Sequence, residues 1–302
     1  MYEERQKTND TISGVLVVDK PVGMTSHEVV QIIRRGTNIR RAGHTGTLDP
    51  RASGVLVILV GPAVRLSEYV SASDKRYQAI IRLGTSTDTY DSDGQVTRTD
   101  PMDITEEQFE QELKQFIGEI EQTPPPYSAV KVQGRPSYEM AREGEEVELQ
   151  PRIINVYSLD VLEWAPPEVT VDVHCSSGTY VRSLAYELGI KLGCGAMLVG
   201  LRRTKSGRFT LKDAVPLRKL IESFDTNTWY KYVIPAAEAL GEWKALTLNN
   251  EQVEAIRHGH RISGEGKGGE MVRGVTEQGE LVALLEFDET TSEFQPRKVF
   301  FS

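Results

Sequence analysis

Cysteine is nearly absent: 302 residues contain only Cys175 and Cys194. That excludes a disulfide framework and a zinc-finger set, and both thiols are expected as small buried hydrophobes. No apolar run approaches the ~18 residues that a transmembrane helix needs. Residues 1–10 are polar and partly acidic, without the apolar segment that directs export. These absences lead to a cytoplasmic chain with no membrane contact. No internal repeat and no low-complexity tract is present. Gly264, Gly266, Gly268 and Gly269 lie outside any strand-to-helix pattern, so they read as a hairpin loop and not as a phosphate-binding loop. His258 and His260 have no cysteine or third histidine nearby, and a turn is expected there rather than a metal site.

What is present is ordinary globular composition, 39% hydrophobic and 26% charged, in a chain about twice the usual single-domain length. One large or two unequal domains are expected. The net charge of −9 argues against a polyanionic partner only if it is spread evenly, and it is not. Residues 101–150 carry −8 and 213–302 carry −5, whereas 1–100 carry +1 and 151–212 carry +3. Between Arg34 and Arg82 nine basic residues stand against three acidic ones, and a second basic cluster holds Arg202, Arg203, Lys205, Arg208 and Lys212. Affinity for nucleic acid follows the local patch that meets phosphate. Solvated helix faces produce the same pattern, so charge alone leaves both readings open.

The β-branched stretch Gly14–Val18 reads as a strand ending at the turn Lys20-Pro21-Val22-Gly23. Thr25-Ser26-His27-Glu28 has the spacing of a capping box, Val29, Val30, Ile32 and Ile33 supply an apolar face, and Gly36 is placed to stop the helix. A polar loop from Arg40 to Ser53 leads into an apolar strand from Gly54 to Val60. Further strands are expected at Tyr77–Leu83, Ile154–Trp164 and Val169–Cys175, with helices near Thr105–Phe116 and Arg182–Leu192. Strands and helices mix without strict βαβ alternation, which predicts an α+β fold. Residues 121–150 open on Pro124-Pro125-Pro126 and continue polar and charged, a long irregular insertion of the kind that is functional or mobile. Beyond Pro235, short strands near Ala245–Leu248, Glu270–Val275 and Leu281–Phe287 read as a small appended β-barrel. The expected domains are therefore 1–235 and 236–302.

The loop Arg41-Ala42-Gly43-His44-Thr45-Gly46-Thr47-Leu48-Asp49-Pro50-Arg51 sets one acid among bases, with glycines that permit close approach of another molecule. A carboxylate among guanidinium groups stays ionised, which suits a nucleophile or base better than a proton donor. Pro50 restricts the backbone beside it. An Asx-turn residue before proline is the other reading. Asp88, Asp91 and Asp93 alternate like a calcium loop, but Thr99 stands where the bidentate Glu is needed.

Six ordered segments resemble the TruB family of tRNA pseudouridine-55 synthases: Gly14–Met24, Ala42–Leu56, Ser73–Gly84, Tyr127–Arg142, His174–Arg182 and Gly193–Arg203. They span residues ~14–212, and the GHTGTLDP segment is the most specific of them. The resemblance implies a mixed, largely antiparallel pseudouridine-synthase sheet with flanking helices and a small C-terminal PUA-like barrel. It also implies isomerisation of one T-loop uridine of tRNA without cofactor or metal, in an enzyme that works as a monomer with no obligate protein partner. Because the target base lies inside folded RNA, it must be flipped out and its lost stacking replaced.

By the same resemblance Asp49 is the essential carboxylate, Tyr77 stacks on the target uracil and assists proton removal at C5, and Arg182 pairs with the carboxylate. Tyr180 and Leu201 line the pocket, and His44 fills the space left by flipped nucleotides. Lys20 with Pro21 supports the floor of the site, and Asp91 supports the site from nearby. The 121–150 insertion contacts the T-arm through Tyr127, Lys131 and Arg135, and its acids from Glu139 to Glu148 face solvent. A non-catalytic RNA binder on the same scaffold, or a guide-RNA-directed relative, remain as alternatives. Retention of Asp49, Tyr77 and Arg182 together speaks against the first, and the long polar insertion against the second.

Overall fold

The computed structural model describes residues 12–128, 130–132, 134–143 and 149–300. Contacts divide the chain into two compact units, one of residues up to Pro50, Gly54–Ala72 and those from Ser206 onward, the other of Arg51–Ser53 and Ser73–Lys205.

The first unit begins with the strand Gly14–Lys20, buried almost throughout. Its runs of valine and leucine leave no solvent face, as a strand covered on both sides requires. It pairs antiparallel with Ala52–Val60, from Gly14 opposite Val60 to Lys20 opposite Gly54, and parallel with Val215–Pro216. The expected helix spans Ser26–Thr37, and Thr25 and Glu28 form the reciprocal capping box. Gly36 does not end it. The helix continues to Thr37 and stops at Asn38, whose φ of 58° is the left-handed turn that asparagine tolerates. Gly36 instead makes room for a neighbour, since a Cβ there would overlap the Phe224 ring of helix Leu217–Asp225.

The C-terminal strands form a five-stranded sheet in the order Ala245–Thr247, Met271–Val275, Leu281–Asp288, Glu293–Val299, Ile262–Ser263. This is the expected PUA-like sheet, with a capped helix Asn250–Arg257 added to the elements read from sequence. The loop 264–269 is not a hairpin, because the strands on either side of it pair elsewhere. The sheet is more than an appendage. Leu285 packs with Val272, Ile256 and Phe294, while its neighbour Leu284 and Phe300 join Val15, Val57, Leu66 and Phe209 in the core of the N-terminal strands. Alternation along one strand thus feeds two cores.

The second unit is built on Lys75–Leu83, whose alternating burial turns Lys75, Tyr77, Ala79, Ile81 and Leu83 inward. It pairs antiparallel with Glu168–Cys175 from Lys75 opposite Cys175 to Arg82 opposite Glu168. Arg152–Ala165 and then Gly118–Gln122 extend the antiparallel order, and Ala196–Ser206 lies on the other side of Lys75–Leu83. Helix Glu106–Lys114 closes on the sheet through Phe109, its ring 5.4 Å from that of Trp164. The insertion is less irregular than its composition suggests. Lys131–Val132 and Arg135–Pro136 form a small hairpin, and Ser137–Arg142 is helical. Both cysteines are buried and free.

The Gly36 contact makes a prediction. Alanine gains about 1 kcal/mol of helix propensity over glycine, yet Gly36→Ala is expected to lower the unfolding free energy by about 1–3 kcal/mol through overpacking. Urea denaturation reads this, and an unchanged or raised midpoint contradicts it.

Candidate active site

In the first unit the Asp49 loop is held at both of Asp49's neighbours. Ala42–His44 pairs with Ala52–Val60, placing His44 opposite Ile58, and the Thr45 amide donates to the Val57 carbonyl at 3.1 Å. The chain then leaves the sheet. Leu48 is buried, and the Ser26 hydroxyl satisfies both of its backbone groups, accepting from the amide at 2.8 Å and donating to the carbonyl at 3.0 Å. On the other side the Pro50 carbonyl accepts from the Gly23 amide at 2.7 Å. Beneath the loop lies Lys20, at 0% exposure. Its ammonium donates to the carbonyls of Met24 at 2.5 Å, Pro21 at 2.9 Å and Pro50 at 3.5 Å. A buried ammonium is tolerable only with such acceptors. Asp49 and His44 remain half-buried, reachable by another molecule.

In the second unit Tyr77 sits on the inward face of its strand, 9% exposed. Lys75 shares that face. Burial, with Arg203 adding to it, pulls the Lys75 ammonium down to about 8, and burial pushes the Cys175 thiol opposite it up to about 11. Arg182 and Tyr180 both stand at the start of helix Val181–Lys191, with Tyr180 in the N-cap position. The backbone of Tyr180 is gripped by Gln122, whose side-chain oxygen accepts from its amide at 2.8 Å and whose amino group donates to its carbonyl at 3.0 Å.

Arg182, also nearly buried, donates to the carbonyls of Thr89 and Tyr127, both at 3.1 Å. It lies 3.3 Å from the Asp91 carboxylate. That carboxylate accepts from the Thr89 hydroxyl at 2.6 Å and the Asp93 amide at 3.0 Å, so the calcium-like spacing serves a turn and an arginine. No group of three or more metal-ligating side chains occurs among the described residues. Tyr90, between the two residues that Arg182 holds, has a φ of 66° and stacks on Tyr186. Burial pushes the pKa of its hydroxyl above the ordinary value, which keeps the ring neutral.

Leu201 is partly exposed on Ala196–Ser206, and Tyr127 is half-buried at the entry to the insertion. Lys131 lies in the Lys131–Val132 strand. Arg135 is ion-paired at 2.7 Å with Glu143, and both Glu143 and Glu139 are exposed, as expected. Residues 144–148, with Glu145, Glu146 and Glu148, lie outside the described residues. Sequence reasoning missed Ser26, Gln122, Lys75, Tyr90 and Tyr186. Ser26 is an intervening position of the capping box that Thr25 and Glu28 form, and nothing near it in sequence points to Leu48; the others carry no local signal.

The fold is that of the pseudouridine synthases. A chain from a solved H/ACA ribonucleoprotein bound to a substrate RNA containing 2'-deoxyuridine superposes with a TM-score of 0.74 at 28% identity, covering 100% of this chain and 88% of that one. Residues 34–181 match the N-terminal domain of the TruB family of pseudouridylate synthases, and residues 182–240 match the C-terminal domain of tRNA pseudouridylate synthase B. The tRNA pseudouridine synthase B of Syntrophotalea carbinolica is 44% identical over 82% of this chain and 81% of that protein. The one from Syntrophus aciditrophicus is 40% identical over 91% of each. The chain belongs to the TruB family of pseudouridylate synthases, and it is an isomerase. No helix among the described residues is long and apolar enough to cross a membrane.

The depressed Lys75 ammonium makes a pH prediction. From about pH 8 to its ordinary value of 10.5, the unfolded chain keeps a proton that the native chain has released, so the Lys75 contribution to stability rises with pH across that window. Wild type is expected to gain unfolding free energy relative to Lys75→Met between about pH 7 and about pH 10. The Cys175 thiol acts in the opposite sense from 9 to about 11 and feels the Lys75 charge, so the comparison is cleanest below about pH 9, where the thiol stays protonated in both proteins. A wild-type-minus-variant difference that stays flat with pH contradicts the assignment.

Proposed function

We propose that this chain converts the uridine at position 55, in the T-loop of tRNA, to pseudouridine, acting as a monomer in the cytoplasm. The bond from ribose C1′ to N1 breaks, the base turns, and C1′ bonds to C5. One proton leaves C5 and one is taken up at N1, so atoms and electrons balance without an oxidant or cofactor. Asp49 is the carboxylate on which the reaction depends, whether it adds to the base, attacks the sugar or removes a ribose proton. The observation that carries this reading is the fixation of Asp49 between the tied residues Leu48 and Pro50. A reacting group held before substrate arrives has no reorganisation to undergo at the moment of reaction.

The other roles follow the family resemblance residue by residue. Tyr77 stacks on the flipped uracil and assists proton removal at C5, Arg182 is the guanidinium partner of the carboxylate, and Tyr180 and Leu201 line the pocket. His44 takes the place of the flipped nucleotides. Lys20 supports the floor, which agrees with its donation to three carbonyls around the Asp49 loop. Asp91 supports Arg182, in agreement with their 3.3 Å contact. Tyr127 and Lys131 meet the T-arm from the 121–150 insertion. We divide the chain into a catalytic domain, 1–235, and a PUA-like domain, 236–302. The relatives named tRNA pseudouridine synthase B, matched over most of their length, favour a stand-alone enzyme.

Unmodified tRNA transcript incubated with the protein, without metal or nucleotide, is expected to gain pseudouridine in the T-loop. Asp49→Asn is expected to abolish turnover while still binding tRNA. A wild type that leaves the T-loop unmodified at stoichiometric enzyme sinks the reading, as does an active Asp49→Asn. The basic patch predicts that log affinity falls linearly with log salt. A flat salt response, read by filter binding, contradicts that surface.

A further inference from the structure

Arg182 and Tyr186 stand one helical turn apart on Val181–Lys191 and so project from one face. Together they grip three consecutive residues. Arg182 takes the Thr89 carbonyl at 3.1 Å and the Asp91 carboxylate at 3.3 Å. Tyr186 takes the residue between them, with its ring stacked on Tyr90 at a centroid distance of 3.8 Å and 12° between planes. Tyr90 has a φ of 66°, a left-handed backbone that a tyrosine adopts only when its surroundings impose it. Backbone bonds hold the rest of the turn: the Tyr90 amide donates to Thr87 at 3.3 Å, and Leu198 donates to the Tyr90 carbonyl at 3.0 Å. None of these fixes the ring. Without the stack the turn could relax toward an ordinary φ, which would rotate the Thr89 carbonyl and swing Asp91 away from the guanidinium.

We propose that the Tyr90–Tyr186 stack is a positioning device for Arg182, holding the 89–91 turn in the one conformation that presents both of its acceptors to the guanidinium. Tyr90 and Tyr186 are positioning residues, acting through Arg182 and touching no substrate. The inference rests on the proposed role of Arg182 in the reaction. It also assigns a purpose to backbone strain that would otherwise only weaken the hairpin Thr85–Thr87/Val96–Thr99.

The test compares single-turnover pseudouridine formation and tRNA affinity in Tyr186→Ala, Tyr186→Phe, Tyr90→Asn and the Tyr90→Asn/Tyr186→Ala double variant. Tyr186→Ala is expected to slow the single-turnover rate about tenfold with tRNA Kd within about twofold of wild type, a coupling typical of residues in contact. Tyr186→Phe keeps the stack and is expected to match wild type. Asparagine accepts the left-handed backbone, so Tyr90→Asn removes the ring without straining the turn, and it carries the test should Tyr186→Ala fail to fold. The double variant is expected to be no slower than either single one. Wild-type rates in both Tyr186→Ala and Tyr90→Asn overturn the proposal, as does a Tyr186→Phe as slow as Tyr186→Ala, or losses that multiply in the double variant. A wild type inactive on tRNA overturns the functional reading itself and this inference with it, an outcome distinct from active wild type with unaffected variants.

Discussion

The loop that carries Asp49 depends on one buried cation. Lys20 ends the first strand with its ammonium out of water, where an unpaired charge would be untenable. The carbonyls of Pro21, Met24 and Pro50 accept from it, so the turn after the strand, the approach to the helix and the far side of the Asp49 loop close on the same nitrogen. Hydrogen bonds to charged groups contribute ~1.5–3 kcal/mol each. Moving the loop would therefore expose the charge to a poorer environment. Ser26 completes the restraint from the helix side by satisfying the amide and carbonyl of Leu48. Asp49 itself stays half-buried and available.

The second unit gathers its polar groups around a different cation. One guanidinium holds the Thr89 carbonyl, the Asp91 carboxylate and the Tyr127 carbonyl, tying a tight turn and the entry of the insertion to the first turn of a helix. A planar fork with five donors can serve three acceptors in a way a lysine cannot. The proposed reaction calls on no cofactor, so its rate must come from placement and fixed charge. The same economy governs the C-terminal sheet, whose Leu284 and Leu285 face different cores. Its stability is thereby joined to that of the first strands.

Much of the local structure was legible. The capping box at Thr25, the buried strand Gly14–Lys20 and the alternation along Lys75–Leu83 all follow from residues within a few positions of each other. So did the candidate loop, because an acid among bases beside glycine and proline is a local pattern. The misreadings share a cause. Gly36 looks like a helix stop until Phe224 occupies the space above it. The last strand, Glu293–Val299, is too polar to stand out among the expected strands, and Leu281–Asp288 supplies its partner. Residues 121–150 contain a hairpin and a helix that composition conceals.

The sequence by itself determined the fold class, the main strands and helices, and the loop proposed to carry the chemistry, since periodicity, capping and motif are written in short stretches of chain. Only the tertiary structure decided which distant groups restrain that chemistry: Ser26 on Leu48, Gln122 on Tyr180, Tyr186 on Tyr90. Their partners lie 22, 58 and 96 residues apart, and no local propensity encodes a hydrogen bond or a ring stack between segments that meet only after the chain has folded.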